Sequence, residues 1–257
     1  MVAGSKIKHV IQSVAGIFAE PAVQPAIPTQ LHYKAPADVT ALASGFRTLD
    51  KALGINGLPQ GKITELLGPG NTMVSGGAQS IAARIAAKVQ RQQEISTVID
   101  MNHSFDPWHA ERCGLVAPQL LLTRPDTIFS AITALEQASR NAKLVIVMLG
   151  IVVDLLSHVE QGLLQTLLRR LQTIVQQSES VFLFVTTSPQ NDPFNRAMYP
   201  AGFPLDDVAT VRLWLQDELW AYDDGVASAY RATITVVKNE LAMVGKGANI
   251  RVKLNGC

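Results

Sequence analysis

ITELLGPGNTMVSGGAQSIAARIAAKVQRQ, residues Ile63 to Gln92, decides the fold. Ile63 to Leu67 is a short apolar run of strand type, Gly68 to Gly77 is a Gly-rich turn, and Gln79 to Gln92 has the composition of a helix. A turn of this kind between a strand and a helix is where an α/β fold binds phosphate, because backbone N–H groups and the helix N-terminus converge there. The position therefore predicts a phosphate loop with Gly68, Pro69, Gly76 and Gly77 as its cradle. The side chains do not follow. A GxxxxGK[ST] loop needs a Lys to reach the β and γ phosphates and a hydroxyl to hold Mg²⁺, whereas Gly77 is followed by Ala78 and Gln79.

Outward from this unit, short apolar runs alternate with amphipathic stretches, as in consecutive βαβ units. Strands are predicted at Ile63–Leu67, Thr97–Asp100, Leu120–Thr123, Leu144–Leu149, Val181–Thr186, Val208–Leu215 and Arg231–Asn239. Helices are predicted at Gln79–Gln92, Trp108–Cys113, Thr127–Asn141 and Glu160–Ser178. The expected class is α/β, a mostly parallel sheet flanked by helices. The last two strands have no helix between them, and Asp223, Asp224 and Gly225 supply a turn, which predicts an antiparallel hairpin extension.

At the N-terminus, Ile7, Val10, Ile11, Val14 and Phe18 recur at helical spacing, and Pro21, Pro25, Pro28 and Pro36 follow in a stretch poor in strand formers. Residues 1–38 are thus expected to be a helix and a Pro-rich linker, and residues 39–257 the core domain.

The 257 residues are 47% hydrophobic, enough for a sizeable core, and only 17% charged where about 25% is usual. A formal charge of +1 excludes a bulk-basic nucleic-acid binder. The longest apolar run, Leu144 to Val153, is about half of the roughly 20 residues a membrane helix needs, so no membrane partner is expected. Cys113 and Cys257 lie far apart, with no CxxC or Cys/His cluster, so neither a disulfide framework nor a metal site is expected; the predicted compartment is the cytoplasm.

Several segments, in order and at similar spacing, resemble the core of bacterial RecA-type recombinases. They are ALASGFRTLDKALGINGLPQGKITELLGP (Ala41 to Pro69), VIDMNHSFDPWHAERCG (Val98 to Gly114), LLLTRPDT (Leu120 to Thr127), DVATVRLWL (Asp207 to Leu215) and ITVVKNELA (Ile234 to Ala242). The resemblance spans roughly residues 40 to 253 and implies a RecA-like P-loop NTPase core. The N-terminal helix stands where the family has the segment that docks on a neighbouring subunit, which implies a homo-oligomer; the alternative is a terminus packed on its own core.

Carried over residue by residue, the resemblance implies lost hydrolysis. Ala78 stands where the family has its phosphate lysine and Gln79 where it has the Mg²⁺-binding hydroxyl, with Ser80 one position late. Asn102 replaces the Glu that activates water and cannot accept a proton. Met148 replaces a strand-end carboxylate, and the γ-phosphate-sensing Gln falls near Thr186 or Thr187. No catalytic residue and no cofactor is expected, with weak ATP binding left as an alternative. Asp106 matches an adenine contact, although Asp before Pro107 also suits a helix cap. Trp108 or His109 could stack on a base, and Lys238 matches the first of two lysines that reach a nucleotide across an interface, with Glu240 in place of the second.

The family's second DNA loop corresponds to Ser188 to Asp207, where Phe194, Arg196, Met198, Tyr199 and Phe203 are expected to be exposed, as a partner-protein or single-stranded DNA surface. Three aspartates there oppose one arginine, which favours protein. Asp154 with His158, and Asp206 with Asp207, have no convergent third partner in sequence and are read as loop and turn residues.

The function expected is a catalytically inactive accessory or scaffold protein in DNA repair, the SOS response or translesion mutagenesis. Its expected partners are RecA or a translesion polymerase complex, as for the ImuA-type accessory proteins that share this degraded architecture. The alternative is a divergent recombinase that binds single-stranded DNA, and ATP weakly, by itself.

Overall fold

The computed structural model describes residues 39–70 and 76–255. The N-terminal helix and linker expected at 1–38 lie outside the described residues.

Nearly every predicted element forms. In chain order these are β1 (Ala41–Leu42), α1 (Arg47–Leu53), β2 (Leu58–Pro59), β3 (Ile63–Pro69), α2 (Gly76–Arg91), β4 (Ser96–Asp100), α3 (Pro107–Arg112), β5 (Leu121–Thr123), α4 (Ile128–Asn141) and β6 (Leu144–Gly150). There follow α5 (Val152–Leu156), α6 (Gln161–Gln176), β7 (Val181–Ser188), α7 (Leu205–Val208), β8 (Val211–Asp223), β9 (Val226–Asn239) and β10 (Gly247–Lys253). Eight strands make one sheet in the order β10-β9-β8-β3-β7-β6-β4-β5. From β8 to β5 all pairings are parallel, and β8–β9 and β9–β10 are antiparallel. The hairpin turn falls at Asp224 and Gly225, both at positive φ, as a tight two-residue turn requires.

The parallel strands read as unbroken apolar runs because both faces are covered: every residue of β6 and β7 is buried. One face packs under α2, whose Ala78, Ile81, Ala82, Ile85, Ala86 and Val89 fill the narrow space against Leu66, Val98, Ile146 and Val185. The other packs under α4 and α6, with Leu135, Leu164, Leu167 and Leu171 against Ile63, Val145, Val147 and Phe184.

Beyond the predicted elements the chain forms β1, β2, α1, α5, α7 and β10, and β8 starts later than expected. Val208 ends the short helix α7, and the strand starts only at Val211, because Thr210 N bonds back to Ile63 O before the ladder begins. α1 and β10 were not anticipated from periodicity. α1 buries only Leu49, Ala52 and Leu53, and is closed by Gly54 in the left-handed region. β10 alternates strictly, with Ala248, Ile250 and Val252 in the core and their neighbours outside.

Candidate nucleotide-binding site

The Gly-rich turn lies where a phosphate loop should, between the end of β3 and the start of α2. Gly68 and Pro69 are the last residues of β3, paired with Thr187 and Ser188, and Gly76 and Gly77 open α2. The first turn of a helix presents unbonded N–H groups and the positive end of its dipole. Here the β8–β9 hairpin folds over it. A methyl group at Gly77 would overlap both Glu218 Oε1 and the Tyr230 hydroxyl, and one at Gly76 would lie 3.3 Å from the Trp220 ring. Tyr230, fully buried, donates to Glu218 Oε1 at 2.7 Å, and its ring packs 4.7 Å from that of Trp220. Burial and the adjacent Glu218 hold the Tyr230 phenol protonated, far above its ordinary range. A carboxylate of the chain's own thus rests against the helix start that would otherwise receive a phosphate, and a second anion there would meet like charge.

The remaining side chains are turned to structural use. Ala78 is in the core, Gln79 donates to Ser104 O at 3.2 Å, and the Ser80 hydroxyl donates to Gly76 O at 2.6 Å and contacts His109 Nε2 at 2.6 Å. Asp106 caps α3, its Oδ1 accepting from Trp108 N at 2.9 Å and His109 N at 3.2 Å, with Pro107 behind it. Trp108 is 74% exposed, and the His109 ring meets Trp220 edge-on at 5.9 Å. Arg112 donates to Ala227 O, which ties α3 to the hairpin.

At the end of β4, Asn102 accepts from Ser104 Oγ at 2.8 Å and its amide lies against Gly150, where a methyl would overlap it. Met148 is buried in the α2-side core. The strand-end carboxylate that does exist is Asp100, fully buried, accepting from Ser104 N and Phe105 N and paired with Arg124 Nε at 3.0 Å. It organises the 101–106 loop and was not singled out from sequence. Ala78, Gln79, Asn102 and Met148 offer no charge or base to a Mg²⁺–nucleotide, and the two hydroxyls beside the start of α2, Ser80 and Tyr230, are spent on Gly76 O and Glu218 Oε1.

Lys238 is not brought to this end of the sheet. It pairs in register with Arg212, itself opposite Glu65 four residues before the end of β3, and its Nζ donates to Asp206 O and Asp207 O at 3.0 and 2.9 Å and pairs with Glu240 at 3.1 Å. The residue that replaces the second lysine therefore neutralises the first.

The 189–204 segment corrects an expectation of exposure. Met198, Tyr199 and Phe203 are 2%, 8% and 6% exposed and belong to the core under α6; of the five residues expected at the surface, Phe194 and Arg196 reach solvent. Arg196 is engaged by Asp206 at 3.3 Å and Asp207 at 2.5 Å. The cause of the burial is a polar cluster that sequence reasoning missed. Glu65, in the central strand and fully buried, accepts from Tyr199 Oη at 2.6 Å and Thr186 Oγ1 at 2.8 Å, and pairs with Arg212 Nε at 2.7 Å; Arg212 also donates to Tyr199 Oη at 2.9 Å. Tyr199 is thus the bolt that draws the loop onto the sheet, and Thr186 serves Glu65.

Two titratable groups near α2 follow from burial. Burial pushes the Cys113 thiol up to about 11, so it stays a neutral core group. Burial also lowers His109 below its ordinary 6.5, partly opposed by Asp106 and reinforced by Arg112. A histidine more basic unfolded than folded binds protons on unfolding, so its contribution is complete above 6.5 and is lost as pH falls from 6.5 through the lowered value. Denaturant titrations at a series of pH values should show this slope in the native protein and a flatter one in His109→Gln; an equal slope in both would remove the assignment.

A mostly parallel sheet whose central strand is followed by a Gly-rich segment and a helix, with an antiparallel extension beside it, defines an α/β core of the recombinase type. The RecA N-terminal domain model matches residues 7–256, and the chain belongs to that family. It is 28% identical over 231 residues to Protein RecA of Thermus thermophilus, covering 83% of this chain and 67% of the relative. It is also 28% identical over 233 residues to Protein RecA of Chlorobium limicola (83% and 65%), and 29% identical over 231 residues to Protein RecA of Bacillus cereus (83% and 66%). Membership relates the chain to DNA recombination and repair. Among the described residues no helix is long and apolar enough to cross a membrane.

Proposed function

We propose that this RecA-family protein does not hydrolyse ATP and serves in the cytoplasm as an accessory or scaffold in DNA repair, acting through protein partners such as RecA or a translesion polymerase complex. The observation that carries this reading is the Glu218–Tyr230 pair seated on Gly77, at the helix start where hydrolysis would need a phosphate. It acts together with Ala78, Gln79, Asn102 and Met148, none of which can supply the charge or the base that phosphoryl transfer needs. The neutralised Arg196 and the buried Tyr199 and Phe203 leave the 189–204 segment poor in both cations and stacking rings, which favours a protein partner over single-stranded DNA at that loop.

The test is phosphate release from ATP with Mg²⁺, with and without single-stranded DNA, beside calorimetry of ATP binding. No release above the uncatalysed background is expected. DNA-stimulated turnover would overturn the reading, and tight ATP binding without turnover would keep the scaffold but give it a nucleotide-dependent state. Co-purification with RecA or a translesion polymerase then identifies the partner.

A further inference from the structure

The α4/α6-side face of the sheet is covered only as far as β8. In β9, even-numbered residues from Tyr230 to Val236 enter the α2-side core, while odd-numbered ones face the other way. Of these odd residues, Val237 still packs in the α6-side core with Trp214; toward the hairpin tip no described helix covers the face. The ladder sets Leu219 opposite Arg231 and Arg231 opposite Arg251, and in the next row Ala221 opposite Ala229 and Ala229 opposite Lys253. Leu219 is 66% exposed, and Ala221, Arg231, Arg251 and Lys253 are all exposed. Among the described residues none of the three cations has an ion-pair partner. Directly opposed like charges repel across a ladder, and an exposed leucine beside them gains nothing from water. Folding does not account for this set.

We propose that this face docks a short acidic segment of a protein partner, with an apolar side chain seated on Leu219 and Ala221 and flanking carboxylates on Arg231, Arg251 and Lys253. Charge complementarity selects an anion. The apolar centre selects a peptide over a nucleic acid, because the face carries no aromatic ring for a base to stack on. The chain's own first 38 residues do not fit, since their charged side chains are Lys6, Lys8 and Lys34 against Glu20 and Asp38. The site is independent of whether ATP is hydrolysed.

The probe is a fluorescein-labelled peptide of about 12 residues alternating Glu and Leu, titrated with the full chain by anisotropy at about 50 mM and about 300 mM salt. Its Lys/Leu counterpart and an oligothymidine of about 20 nucleotides serve as comparisons. Saturable, salt-weakened binding of the acidic peptide is expected, at least about tenfold weaker in Arg231→Glu/Arg251→Glu and about threefold or more weaker in Leu219→Ser, with thermal melting of both variants unchanged. Absence of binding, or equal affinity in the charge-reversal variant, overturns the proposal. Oligothymidine that binds, competes with the peptide and is lost in the charge-reversal variant but not in Leu219→Ser would assign the face to nucleic acid instead.

Discussion

Arg212→Leu is expected to lower the stability of the protein by about 3–5 kcal/mol, because it leaves the Glu65 carboxylate buried in the central strand without its counter-ion. For a chain of this size that is a fall of the melting midpoint by very roughly 10 °C, at about 2–4 °C per kcal/mol. The double variant Glu65→Leu/Arg212→Leu should be markedly more stable than the single one, since removing both charges removes the desolvation penalty along with the attraction. Tyr199→Phe should fall between, losing its bonds to Glu65 and Arg212 but no charge, at about 1–3 kcal/mol. It should also make the 189–204 segment more open to proteolysis at native temperatures, because Tyr199 carries that segment's hydrogen bonds to Glu65 and Arg212 in the sheet while Met198 and Phe203 hold it only by packing. Denaturant midpoints with unchanged slopes would check the ordering. Additive losses in the double variant would mean that the pair is not one electrostatic unit.

That cluster also marks the limit of what was legible in the chain. Strand and helix positions were visible because the central parallel strands β6 and β7 are apolar almost throughout, α4 and α6 each carry one apolar stripe, and α2 is rich in Ala and buried nearly all round. The loss of the phosphate lysine was visible because Ala78 and Gln79 directly follow the Gly pair. Tyr199 was misplaced as a surface anchor because its partners Glu65 and Arg212, and Thr186 that serves Glu65, lie on three different strands and meet only through the β8-β3-β7 order. A charged residue inside an apolar strand such as ITELL is the available signal: a buried charge needs partners, so Glu65 implies a counter-ion and hydrogen-bond donors on the neighbouring strands. Glu218 was hidden for a similar reason. It sits 141 positions from Gly77, on an ordinary half-polar strand, and only the bulge between Gln216 and Leu219 and the fold of the hairpin bring it to α2.

Gly77→Ala tests that arrangement through the sign of its effect. In an exposed helix, Gly to Ala stabilises by about 1 kcal/mol, since Ala loses less conformational freedom. At Gly77 the added methyl is fixed to the backbone of α2 and overlaps the Glu218 carboxylate and the Tyr230 hydroxyl, so the hairpin must shift and the Trp220–Tyr230 contact open. Overpacking of this kind costs about 1–3 kcal/mol, which outweighs the propensity gain. The expected result is a net loss of stability and a red-shifted component of tryptophan emission from Trp220. Glu218→Ala removes one of the two overlapping groups, so Gly77→Ala should cost less in that background, with a coupling of about 0.5–3 kcal/mol between the two sites. If instead Gly77→Ala stabilises the protein, or its effect is the same with and without Glu218, the carboxylate does not rest on the start of α2, and the helix terminus is free to take an anion from solution. Only the missing lysine and base would then argue against nucleotide chemistry, and the ATP titration would carry the question alone.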